Sequence, residues 1–169
     1  MSEFVVHGPF KVPFSRPPAG GKTVTTDRLN EFWNQMQVGV PERPGCYIFG
    51  IRASRGMTPV YVGETANNMR AECFTPRNLN IYNQALGEYR KGTPIMFLLV
   101  RSSQRGQIDK KEIHDLQNYL IDIAFNKNPN LYNRQGKRTP KWNIRGMIRG
   151  GQGRPSEDVK SFKIMMGMA

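Results

Sequence analysis

Gly45-Cys46-Tyr47-Ile48-Phe49-Gly50-Ile51-Arg52-Ala53-Ser54-Arg55-Gly56-Met57-Thr58-Pro59-Val60-Tyr61-Val62-Gly63 decides the fold of this chain. Two apolar runs rich in β-branched and aromatic residues flank a short polar segment that contains Gly56 and Pro59. That pattern predicts a β-hairpin with a longer loop. Tyr47 and Tyr61 are an even number of positions apart, so a suitable antiparallel register sets both phenols on one face. The plainer alternative is two core strands whose tyrosines rest their hydroxyls on backbone or water. Gly45 and Gly63 allow close approach of another backbone or a ligand at each end.

Outward from the hairpin, residues 1–24 carry Pro9, Pro13, Pro17, Pro18 and Gly20-Gly21, and are expected to form an irregular arm that drapes over the domain or is partly mobile. Ala19-Gly20-Gly21-Lys22-Thr23 invites a phosphate-loop reading. That pattern needs glycine at position 16, which is Arg16, and a hydrophobic strand leading in. The reading is rejected. Thr26 or Asp27 is placed to cap a helix to about Val38, with Leu29, Phe32, Trp33 and Met36 on one stripe.

After Gly63, a short helical turn through Asn67–Phe74 precedes a helix over Asn78–Lys91, and Thr93–Arg101 reads as a buried third strand. The longest helix is expected over Asp109–Phe125, and Ser156 caps a last one to about Met166. The order of elements predicts an α+β domain: a small three-stranded antiparallel sheet flanked by helices. Its expected divisions are the arm at 1–24, the domain at 25–133 and a basic extension at 134–169 packed on the same domain.

At 169 residues one domain with a real core is expected. No apolar run reaches membrane-spanning length and the start does not resemble a secretory leader, so a cytoplasmic location is expected. Two cysteines make neither a disulfide framework nor a metal knuckle. Charge is more informative. The formal net charge is +12, and between Ile123 and Ser156 there are eight bases and no acid. That segment includes Lys127, Arg134, Lys137, Arg138, Lys141, Arg145, Arg149 and Arg154, with Tyr132 and Trp142 among them. Arginines and lysines for phosphates, with aromatics for stacking, point to nucleic acid. The glycines of the segment argue against a membrane-surface helix.

On the longest helix, a step of about 100° per residue gathers Ile113, Leu116, Leu120, Ile121, Ile123 and Ala124 on one arc of roughly 160°. Gln117 lies inside that arc. A polar residue there must find partners within the core or line a site.

Gly45-Cys46-Tyr47 with Tyr61-Val62-Gly63, followed by Gln117, Leu120-Ile121, Pro129 and Asn133, resembles the GIY-YIG nuclease superfamily over roughly residues 43–133. The resemblance implies a divalent-metal-dependent endonuclease, with Mg²⁺ or Mn²⁺ as cofactor and DNA favoured over RNA. It assigns catalysis to Tyr47, Tyr61, Arg70 and Gln117, with Gln117 at the metal-binding position. It assigns nucleic-acid contacts to Gly63, Arg77 and Asn133, which join Arg134, Lys137, Arg138, Lys141, Trp142, Arg145 and Arg149 from the basic segment.

Two positions depart from the family. Gln117 stands where the family has glutamate, and a neutral amide is a poor partner for a hard dication. Glu72 stands where the family has the phosphate-binding arginine, leaving Arg70 or Arg77 for that role. His114, at the edge of the apolar arc, reads as a surface residue. The alternative function is a GIY-YIG-like module that has lost chemistry and kept nucleic-acid binding.

Overall fold

The computed structural model describes residues 2–103, 105–133, 142–147 and 154–168. In chain order the elements are β1 (Ser2–Lys11), α1 (Leu29–Trp33), β2 (Gly45–Ala53), β3 (Gly56–Thr65) and α2 (Met69–Glu72). They continue with α3 (Pro76–Glu88), β4 (Thr93–Arg101), α4 (Lys110–Lys127), β5 (Trp142–Ile144) and α5 (Glu157–Met165). The mixed α+β class agrees with the sequence reading. The sheet is larger than the three strands expected: among the described residues it has five, in the order β3-β2-β4-β1-β5. Four run antiparallel to their neighbours, and β5 adds in parallel to β1.

β4 occupies the middle of the sheet, and Pro94 through Val100 are all buried. An unbroken apolar strand of this kind requires cover on both faces. Ile95, Phe97 and Leu99 pack with residues of α4, α5 and β5, whereas Met96, Leu98 and Val100 pack with residues of α1, α2 and α3. The sheet is therefore the middle of three layers.

The first extra strand comes from the segment expected to be an irregular arm. Phe4 and Val6 alternate with less buried neighbours and face the α4–α5 layer. The prolines conceal this period of two. Pro9 sits where the β1–β4 register shifts between His7 and Phe10, a bulge that asks for no ladder donor from it. Only the stretch after Lys11 crosses the domain without strand structure, apart from an isolated bridge between Ser15 and Thr23.

The helix expected from Thr26 or Asp27 to Val38 is five residues long. Asp27 accepts a hydrogen bond from the Thr25 hydroxyl and caps nothing. Phe32 and Trp33 are held instead by edge-to-face packing with each other and with Phe74. The cap expected at Ser156 forms, accepting from Val159 N–H, and Asp109, expected as the first residue of the longest helix, caps it by accepting from Lys111 and Glu112 N–H. From the basic extension, β5 and α5 enter the core, with Trp142, Ile144, Phe162 and Met165 fully buried.

Phe4 separates a sheet strand from a draped arm. Phe4→Ala is expected to lower stability by about 3–5 kcal/mol, the range for a large side chain removed from a packed core, measured by denaturant unfolding. An unchanged midpoint would return residues 2–11 to the status of an arm.

Candidate functional site

β3 is the outer strand of the sheet, and its free edge needs partners for backbone groups turned away from β2. The loop after α4 supplies them. Asn128 donates from Nδ2 to the Pro59 carbonyl at 2.8 Å, and Tyr132 N–H donates to the Val60 carbonyl at 3.0 Å. Asn133 serves Val62 twice, accepting its N–H at Oδ1 (3.2 Å) and donating from Nδ2 to its carbonyl. Gln117 donates from Nε2 to the same carbonyl at 3.2 Å. The polar residue on the buried arc of α4 is thus a partner of the sheet edge.

Along this edge lies an open cleft of about 550 Å³. Its two walls are the start of α3, with Thr75, Arg77 and Asn78, and the middle of α4, with Gln117, Asn118 and Ile121. Tyr47, Tyr61, Glu64 and Glu72 also line it, and Tyr132 and Asn133 contribute from the loop after α4. Tyr47 and Tyr61 do share a face. They are diagonal neighbours, because Tyr47 lies opposite Gly63 and Tyr61 opposite Phe49. Their ring centroids are 6.4 Å apart at 51°.

The environment of Tyr47 does not suit a general base. The residue is 3 % exposed. Its hydroxyl accepts from Asn78 Nδ2 at 2.7 Å and donates to the Glu72 carbonyl at 3.4 Å. Burial, reinforced by Cys73 and Tyr61, pushes the phenol far up, and the Asn78 bond only partly opposes it. Tyr61 is also raised, first by burial; Arg77 acts against that shift and Glu64 adds to it. Arg77 is therefore close enough to act electrostatically on a cleft phenol.

The other expected site residues divide sharply. Arg77 is exposed in the cleft and makes no ion pair among the described residues. Arg70 does not join it. Its guanidinium pairs with Glu42 at 2.9 Å and lies over the Trp33 ring at 5.3 Å. Gly63 gives no approach to a ligand, because the Tyr47 ring fills the space: a Cβ there would lie 2.1 Å from the ring.

Trp142 cannot stack on a base. It is fully buried and packs edge-to-face on Tyr119. Arg145 is paired with Glu3 at 2.6 Å, so its charge is already matched. Arg134, Lys137, Arg138, Lys141 and Arg149 lie outside the described residues. His114 is exposed, as expected, with Nδ1 3.1 Å from Glu64 Oε1. Sequence reasoning missed Asn78, which anchors Tyr47. Its position among Tyr82, Ala85 and Leu86 on the buried side of α3 is the signal already used for Gln117.

Gln117 does not fit the metal-binding role that the resemblance implies. Its amide nitrogen holds a strand carbonyl, and its remaining oxygen carries no charge for Mg²⁺ or Mn²⁺. Among the described residues there is no group of three or more His, Cys, Asp or Glu able to hold a metal ion. No described helix is long and apolar enough to cross a membrane. Compared with known proteins, the chain matches no family model, no curated protein and no solved structure.

Two measurements test the cleft's construction. Gly63→Ala is expected to cost about 1–3 kcal/mol, as for an overpacked core. In a double-mutant cycle, Tyr47→Ala should recover part of that cost, and simple additivity would show that the contact does not matter. Alkaline titration gives the second. A phenol whose folded pKa is raised contributes stability that is intact below its unfolded value near 10 and lost as pH rises above it. Tyr47→Phe should therefore flatten the fall in stability above pH ~10, in addition to a pH-independent loss of about 1 kcal/mol from the severed Asn78 bond. An unchanged alkaline slope would contradict the buried, anchored phenol.

Proposed function

We propose that this chain is a nucleic-acid-binding module of GIY-YIG type, whose cleft receives a phosphodiester group without hydrolysing it efficiently. The observation that carries the reading is Arg77: an arginine without an ion pair among the described residues, standing on the first turn of α3 in the cleft. The N-terminal end of a helix favours an anion, and an arginine there can contact phosphate oxygens from the same side. The formal net charge of +12 supplies a general attraction to a polyanion.

Slow or absent hydrolysis follows from the opposite wall. In-line attack on a phosphodiester needs a group to take the nucleophile's proton and a cation to stabilise the leaving oxygen. Gln117 supplies no charge for a cation, and the Tyr47 phenol is held neutral by burial. Tyr61 and Arg77 remain to position a phosphate and offset its charge. A second reading, a divalent-metal-dependent endonuclease acting on DNA, is favoured by one observation: both phenols, Arg77 and Gln117 line a single cleft.

Binding and cleavage separate the two. Anisotropy with labelled DNA and RNA, single- and double-stranded, should show binding that weakens steeply with salt. Arg77→Ala should weaken it by roughly tenfold, about 1.4 kcal/mol. Supercoiled plasmid with Mg²⁺ or Mn²⁺ should stay intact with the unaltered chain. If that chain nicks plasmid and Tyr61→Phe abolishes the nicking, the endonuclease reading replaces this one. Cleavage gained only by Gln117→Glu would identify the missing carboxylate as the cause of inactivity.

A further inference from the structure

A second concave site lies on the other flank of α3. It holds about 570 Å³ between the loop 15–23 and the later turns of the helix, and no acid among the described residues lines it. Two backbone bonds between Ser15 and Thr23, at 2.8 and 2.9 Å, close the loop. Asn83 docks it on α3, accepting Val24 N–H at 2.8 Å and donating to the Val24 carbonyl at 3.1 Å. Lys22 then reaches across to the carbonyls of Arg90 and Gly92 at the end of the helix.

The groove is built from cations. Arg16, Lys22 and Arg90 line it, and Lys11, Arg16 and Lys22 surround the Phe14 ring at 5.9, 5.4 and 5.6 Å. None of these four cations pairs with an acid among the described residues. The nearby Arg28 differs, being matched by Glu31. Like charges brought together without acids repel one another, and an anionic ligand relieves that repulsion. Gly20 and Gly21, at φ of 89° and 82°, form a loop tip with open space where a side chain would stand, so a large polyanion can approach.

The helix relates this groove to the first cleft. A step of about 100° places Arg77, Asn78 and Ile81 on one arc of α3, and Asn83, Leu86 and Gly87 on an arc centred on the opposite side. Between them runs the solvent-facing ridge of Asn80, Gln84 and Glu88, all exposed. Along the axis, Arg77 and Arg90 are separated by roughly 20 Å, or about six base-pair steps.

We infer that the Arg16–Lys22–Arg90 groove, with Lys11 beside it across the Phe14 ring, is a second anchor for the sugar-phosphate backbone of the nucleic acid whose phosphodiester enters the Arg77 cleft, so that the ligand crosses the exposed ridge of α3. This inference rests on the proposed nucleic-acid reading of the cleft. It assigns a use to the glycine-lysine loop that the rejected phosphate-loop pattern left unexplained. Lys22 is tied to backbone carbonyls, so the tests fall on the other three cations.

The experiment follows the binding of a labelled DNA duplex of about 20 base pairs across a salt series. It compares the full chain, the triple variant Lys11→Ala/Arg16→Ala/Arg90→Ala, and Arg77→Ala. Losing three phosphate contacts should reduce the slope of log K against log salt by about 2–3. Binding at fixed salt should weaken by tenfold or more, with the thermal midpoint unchanged. An unchanged slope in the triple variant overturns the second anchor, even if Arg77→Ala weakens binding. A reduced slope in the triple variant with no effect of Arg77→Ala sustains the groove and removes the cleft reading. Co-sedimentation with phosphatidylserine vesicles completes the test. Vesicle binding lost in the triple variant, with an unchanged slope on DNA, would assign the groove to a lipid surface and overturn the inference.

Discussion

The backbone of Val62 sets the terms for the rest of the cleft. Its N–H and carbonyl belong to an edge strand, and unmet groups at an edge either cost stability or recruit another chain. In this protein Asn133 and Gln117 satisfy both groups, while Asn128 and Tyr132 N–H complete the strand at Pro59 and Val60. Side chains that would otherwise be free for a ligand are thereby anchored to the sheet. The same anchoring fixes the distance between α4 and the edge, and so fixes one wall of the cleft. The sheet edge and the cleft wall share the same amides.

The opposite wall is fixed by a contact that admits no side chain. Gly63 lies under the Tyr47 ring, and Asn78 on α3 holds the hydroxyl of that ring. Asn78 also donates to the Glu72 carbonyl at 2.8 Å, so the start of α3 is tied to the end of α2 through one side chain. A tyrosine in this position orients its surroundings and keeps its proton. Arg77, one residue before Asn78, is directed into the cleft by the same anchor. In the proposed reading, a phosphate in the cleft would meet a rigid helix start, which lowers the ordering cost of binding.

Charge is distributed by pairing more than by number. Arg70 and Arg145 have acid partners, Glu42 and Glu3, and exposed pairs of this type add little stability while muting the field of each arginine. Arg77, Arg16 and Arg90 have no acid partners among the described residues and flank one helix on both sides. A count of basic residues cannot distinguish the two groups. The three-dimensional neighbourhood does.

The local signals were strong enough to read directly in the sequence. The hairpin of Tyr47 and Tyr61, the buried run Thr93–Arg101, the cap at Ser156, and the exceptional position of Gln117 on α4 all depend on periodicity and near neighbours. Tertiary structure decided what those signals could not carry. Residues 2–11 became a strand because β4 offered an unpaired edge, a partner nearly a hundred positions away at Phe4↔Arg101. Trp142 went into the core because the parallel pairing of β5 with β1 places it beside Tyr119. Gln117 took a sheet carbonyl because α4 packs over β3. Hydrophobic period reports which face of an element is buried; only the packed fold determines which distant atom meets it there.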